Sequence, residues 1–199
     1  MQSVYAALRR FRPLIAFVAL LWAVHVLNIA TGNALTRDFG LIPRTVEGLD
    51  GVLLMPLLHG SWQHLSANTP PLLVLGGLIL LLAPQRFWKA TIICILVGGV
   101  LTWLLARPNN HIGASLLIFG WFGFLVALGV LERSAEALFG AAIALLLYGV
   151  PTFLGVVPGE DGQVSWDGHL AGLVAGVSAA VVLRKRRRSS GRVNSRSIR

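Results

Sequence analysis

Six long apolar runs separated by short polar stretches limit what this chain can become more than any other feature. They are Leu14–Ala30, His64–Ala83, Ala90–Leu105, Gly113–Leu131, Ala137–Val157 and Gly168–Leu183. An α-helix needs about 20 residues to cross a bilayer, and in hydrocarbon its backbone groups must be paired within the segment. The pattern predicts an all-α membrane protein, a bundle of six transmembrane helices. The third and sixth runs are short, so their ends are expected in the interface or the protein interior. Only 13% of the residues are charged, against about 25% in a water-soluble domain. Short connections leave no room for a second globular domain. The expected organisation is a short basic N-terminus (1–13), one membrane domain (14–183) and a basic tail (184–199), the tail disordered.

Charge placement predicts the orientation. With a cytoplasmic N-terminus, fourteen of the seventeen Lys and Arg fall inside and only Arg37, Arg44 and Arg107 outside. The positive-inside rule counts these residues alone, so both termini are expected to be cytoplasmic. The net charge of +9 therefore follows membrane topology and does not mark a nucleic-acid partner. The basic run from Arg184 suits attraction to anionic lipid, at about 1 kcal/mol per residue. The first apolar run is long for a signal peptide and no small-x-small site follows it, which favours a true span. A lone Cys94 allows no intrachain disulfide and leaves the redox compartment open.

Between the first two spans, Thr31–Gly60 mixes Val52, Leu53, Leu54, Met55, Leu57 and Leu58 with Pro43, Gly48, Gly51 and Pro56. That composition predicts a loop dipping into the outer leaflet or a short interfacial helix. Trp62, Trp88, Trp103 and Trp166 lie near span ends, as interfacial anchors do. In the last span, Gly168, Gly172 and Gly176 recur at every fourth position, a small face on which another helix can approach closely.

Ionisable groups within spans are expensive and tend to be functional. His59, His64, His111 and His169 fall at or near the outer ends of spans two, four and six. His64 and Asn68 share a face of span two, Ser115 is the third residue of span four, and His169 the second of span six. Taken singly, each has a bland role. A membrane serine bonds back to its own helix, a span-end histidine is interfacial, and an asparagine joins helices. Together at one depth they form a set with chemical content. A serine hydroxyl needs a neighbouring base, which imidazole supplies. A helix N-terminus, with His64 and Asn68, offers donors to a developing oxyanion. No acid accompanies the pair within the membrane, so a dyad is expected.

These residues resemble a known family. His59-Gly-Ser-Trp-Gln-His64-Leu-Ser-Ala-Asn68 looks like the HxxxxHxxxN element of rhomboid intramembrane serine proteases, Gly113-Ala114-Ser115 like their GxS element, and Gly168-His169-Leu-Ala-Gly172 like their histidine-bearing sixth helix. The three occur in family order, and the resemblance covers residues 14–183. It implies Ser115 as nucleophile and His169 as general base. His64 and Asn68, with the Ser115 N–H, line the oxyanion hole; His59 and Gly113 support it. The implied substrates are single-span membrane proteins cut in or near the membrane segment, without cofactor or metal. They would enter between spans two and five, beneath a cap formed by about residues 158–167. Composition rich in Arg suggests a bacterial cytoplasmic membrane.

Two departures stand out. Leu116 replaces the glycine that usually follows the nucleophile, and is expected to crowd the fourth and sixth helices or narrow the cleft. The external arm has no Trp-Arg pair, Arg37 and Arg44 being its two arginines. Pro70 and Pro71 follow Asn68 and free the carbonyls of Ser66 and Ala67, which predicts a kink and local hydration. Two other readings compete. One is a catalytically inactive rhomboid-like protein that binds membrane clients, although such proteins generally lack the serine or histidine. The other is a metal or transport site built from His59, His64, His111 and His169, although no HExxH is present and no acid lies within the helices to share the ligation.

Overall fold

In the computed structural model, residues 2–158 and 164–185 are described, with side chains from Arg9 onward. The helices are α1 (Gln2–Ala30), α2 (Ala34–Phe39), α3 (Gly51–Leu54), α4 (Trp62–Leu82), α5 (Phe87–Leu105), α6 (Ser115–Glu132), α7 (Ala135–Gly155) and α8 (Trp166–Leu183), with 3₁₀ turns at Met55–Leu57 and Pro84–Arg86. Six are long and apolar enough to cross a membrane. The third is not short: with the turn that feeds it, its apolar segment runs from Pro84 to Leu105, 22 residues. The sixth has 18.

Local signals set the helix ends. Ser61 caps α4 by accepting the His64 N–H at 3.1 Å, and Ser134 caps α7 by accepting the Ala137 N–H at 3.3 Å. Arg133 closes α6 in the left-handed region, φ 54°. These ends shift two site residues. Ser115 is the first residue of α6, not the third of its span, and His169 is the fourth of α8, not the second. Helix α4 continues through Pro70 and Pro71 without a break.

Helix α6 lies at the centre and packs against α4, α5, α7 and α8, while α1 packs on α4. Every residue from Leu116 to Leu125 is buried. Trp121 fills the middle and donates its indole N–H to Thr91 Oγ1 at 3.2 Å, as a buried indole requires. The small face of α8 meets α6. A Cβ on Gly172 would strike the Leu116 carbonyl, and one on Gly176 the Gly120 carbonyl. Backbone-to-backbone approach of this kind is what glycine permits in membrane helix pairs. The outside of the bundle is apolar, with Leu146 79%, Val150 71% and Val182 70% exposed.

The segment between α1 and α4 is a folded arm. Val52, Met55, Pro56 and Leu58 are buried, and Arg44 pins the arm to the end of α5. Its guanidinium donates to the carbonyls of Leu104 and Ala106 at 3.2 and 2.8 Å, and the Trp103 indole returns a bond to the Thr45 carbonyl at 2.8 Å. A tryptophan and an arginine do meet here, contributed by two separate elements. Residues 159–163 of the expected cap and 186–199 of the tail lie outside the described residues.

Candidate active site

A cavity of about 800 Å³ opens where α4, α6 and α8 begin, lined by His64, Asn68, Ser115 and His169 among others. The four residues read from the sequence as nucleophile, base and oxyanion donors therefore share one space. Ser115 stands at a helix start, where the first N–H groups lack intrahelical acceptors. The Leu117 and Ile118 amides both donate to the Ala114 carbonyl, so the helix ladder leaves the Ser115 and Leu116 amides unused.

His169 is fixed on two sides. The His169 Nδ1–H donates to the Gly155 carbonyl at 2.8 Å, leaving Nε2 bare in the neutral ring. The imidazole also stacks on Phe119, with centroids 4.1 Å apart and planes at 11°. Phe119 lies one turn below Ser115 on the same face of α6. Glycine at 155 makes this possible, since a Cβ there would run into the Phe119 ring and lie 3.4 Å from His169 Nδ1. The Ser115 hydroxyl makes no hydrogen bond among the described residues, and it faces the cavity unshared.

The side of the cavity formed by His64 and Asn68 is built from behind. The Asn68 amide donates to His59 Nε2 at 3.1 Å, and the Ala114 N–H points to that same nitrogen at 3.4 Å. Two donors on one nitrogen require a neutral ring. Burial, with the nearby His64 and His25 imidazoles, pushes His59 down to about 3. His64 meets the His59 ring edge-on at 5.0 Å. Gly113 has φ +116°, and a Cβ would sit 2.7 Å from His64 Nε2. Both the backbone conformation and the close ring demand glycine there. The His59 carbonyl in turn accepts from His25 Nδ1 at 3.1 Å and from the Asn28 amide at 3.5 Å, so α1 supports the site from outside it.

Leu116 does not crowd the cleft. Its side chain is buried with Leu41, Val52 and Met55, and Trp103 packs against that cluster. Gly98 of α5 leaves space for it, since a Cβ there would come within 3.1 Å of Leu116 Cδ2. The four histidines weighed for a metal or transport site do not converge on one point, although His59 and His64 are in contact. His111 is held by Ser165 and the Arg107 carbonyl, and His169 by Gly155. No trio of His, Cys, Asp or Glu among the described residues is arranged to hold a metal ion.

Sequence reasoning missed Phe119, Gly155, His25 and Asn28. Phe119 was legible as the residue one turn from Ser115. Gly155 acts through its main chain, which leaves no side-chain signal.

The Rhomboid domain family matches residues 48–186. An uncharacterized protein of Mycobacterium tuberculosis is 44% identical over 178 residues, covering 85% of this chain and 73% of its own. An uncharacterized Mycobacterium leprae protein is 40% identical over 178 residues, covering 85% and 70%. The three motif elements, the six spans and the family match converge: the chain belongs to the rhomboid family.

Proposed function

We propose that the chain is an intramembrane serine endopeptidase that hydrolyses peptide bonds in or near the membrane segment of single-span proteins. The observation that carries this reading is the orientation of His169 beside an unshared serine in one cavity. Gly155 holds the Nδ1 proton, so Nε2 is free to accept the proton of Ser115.

Ser115 Oγ attacks the scissile carbonyl carbon as its proton passes to His169 Nε2. The resulting oxyanion is met by His64, Asn68 and the Ser115 N–H, and one such donor contributes about 2.7–4 kcal/mol. The Gly155 carbonyl faces the imidazolium that forms, in the position an acid takes in a triad. Collapse breaks the C–N bond, and His169 protonates the leaving amine. Water then adds to the acyl-enzyme with His169 as base, releasing the acid and restoring Ser115.

The rest of the reading follows from topology. With Lys and Arg inside, both chain ends are cytoplasmic in a bacterial cell membrane and the cavity opens outward. Substrate helices approach from the bilayer between α4 and α7, whose inward residues Pro151 and Gly155 line the cavity.

The test is cleavage of a single-span reporter co-reconstituted in liposomes. We expect a product with wild type, none with Ser115→Ala, and no effect of a chelator. Equal cleavage by Ser115→Ala would remove the proposal.

A further inference from the structure

The outer rim carries a polar cluster that the reaction above does not use. Asp167, nearly buried at 9% side-chain exposure, sits two residues before His169. Its Oδ2 accepts from the Arg107 backbone N–H at 2.8 Å and from Arg107 Nε at 3.1 Å, while Oδ1 accepts from the Gly168 N–H at 3.1 Å. Arg107 also donates to the Val164 carbonyl at 3.0 Å and lies over the Trp166 ring at 5.2 Å. Next to it, His111 Nε2–H donates to the Arg107 carbonyl at 3.0 Å, and His111 Nδ1 meets Ser165 Oγ at 2.6 Å. Ser165 Oγ is 3.4 Å from Asp167 Oδ1.

Two chain segments are joined here. One is the strap from Arg107 to Ala114, which leads directly into Ser115. The other is Val164–Asp167, which leads into His169. Ser165 touches the base's own backbone, because its carbonyl accepts the His169 N–H at 2.9 Å. Gly168 leaves room for the Ser165 hydroxyl, which a Cβ would meet at 2.6 Å. The far side of the strap is fixed independently. His111 exchanges backbone bonds with Leu41 at 2.8 and 3.0 Å, and the Gly113 N–H donates to the Met55 carbonyl at 2.9 Å.

We infer that Asp167, Arg107, Ser165 and His111 form a staple that sets the distance and angle between Ser115 and His169. They are positioning residues for the proposed reaction, and the inference rests on that reading. None of the bonds within either helix fixes the relation between the starts of α6 and α8. The glycine seam fixes their separation further down, at Gly172 and Gly176, and the staple fixes it at the end where the two catalytic groups stand. Nearly every polar atom of the cluster is used internally. His111 has both nitrogens engaged and is therefore no substitute base, although it lines the same cavity. Reaction rate responds steeply to such geometry, and misplacement by 1 Å can cost about 100-fold.

The experiment uses full-length protein in detergent and a fluorophosphonate, separating the maximal inactivation rate from the half-saturating concentration. Asp167→Ala should lower the maximal rate about 10- to 100-fold with the half-saturating concentration little changed. Asp167→Asn retains one acceptor oxygen and should recover part of the loss. A wild-type rate in Asp167→Ala, or a loss that only tracks the folded fraction, overturns the inference. A second arm needs no activity: Ser115→Cys/His169→Cys is bridged by oxidation with and without Asp167→Ala. Slower bridging without the carboxylate is expected, and equal rates overturn the staple. Should folded wild type fail to react, the proposed function fails and the bridging arm alone decides the staple.

Discussion

Helices α6 and α7 are neighbours of similar apolarity, yet 67% of the span window of α6 is buried inside the protein and only 22% of that of α7. The difference lies in position: α6 is surrounded by α4, α5, α7 and α8, whereas α7 packs chiefly on α6 and α4. Helix α6 meets α8 through glycines on both sides, so main chain touches main chain. Helix α7 buries only Gly140, Ala141, Ala144 and Thr152 and leaves Leu145, Leu146, Leu147, Val150, Phe153 and Leu154 exposed. Its Pro151 lacks an N–H, which frees the Leu147 carbonyl near the cavity. Ser115 and His169, the proposed nucleophile and base, thus stand on the rigid pair. The loosely held helix contributes one carbonyl, that of Gly155, on the side where a substrate would enter. In the proposed reaction, precision belongs to the α6–α8 pair and access to α7.

Breaking the rigid side should have the largest effect. Gly176→Ala places a methyl on the Gly120 carbonyl, a backbone contact that cannot rotate away. Overpacking of this kind costs about 1–3 kcal/mol or more, and thermal unfolding in detergent should show a large drop in midpoint. At the site itself, Gly113→Ala combines φ +116° with the His64 ring. Strain of about 1–3 kcal/mol should displace His64 and reduce turnover of the reporter much more than it reduces the folded fraction.

Leu116 offers a sharper comparison, because it fills the space that Gly98 provides. Leu116→Ala should destabilise by about 2 kcal/mol, the low end for a buried leucine, without improving activity, and Gly98→Ala should be tolerated better on that background than alone. A double-mutant cycle measures the coupling; strict additivity would contradict the pairing.

The His59 ring supplies a pH dependence. An unfolded histidine titrates near 6.5 and this one near 3, so between those values protons bind the unfolded chain preferentially. Stability contributed by neutral His59 is complete above about 6.5 and declines on acidification toward 3. Denaturation midpoints across that range should fall less steeply in His59→Asn. The smallest effect belongs to the loose side. A Cβ on Gly149 of α7 meets only Leu145 Cδ2, at 4.0 Å, and Gly149→Ala should change stability by no more than about 0.5 kcal/mol.

Much of this was legible in the residues. Six runs of spanning length dictate six helices, because an apolar run of about 20 residues pairs its own backbone in hydrocarbon only as a helix. The site was legible because His64, Ser115 and His169 each open a helix running in the same direction, which brings them to one depth. The direction of Leu116 could also have been read. Successive helix residues turn about 100°, so the neighbour of a serine facing the cavity must point elsewhere. Other features had no sequence signal. Gly155 acts through its carbonyl, and the Arg107–Asp167 pair joins residues 60 apart whose meeting depends on the finished bundle. Arg44 found its tryptophan on α5, a partner that no local pattern indicates.

The central claim is that Ser115 is activated by His169, and the most direct measurement is labelling by a fluorescent fluorophosphonate. Purified, folded wild type should be labelled, and both Ser115→Ala and His169→Ala should lose the signal while unfolding at nearly the wild-type temperature. Labelling that persists in His169→Ala, or folded wild type that takes no label, would contradict the account.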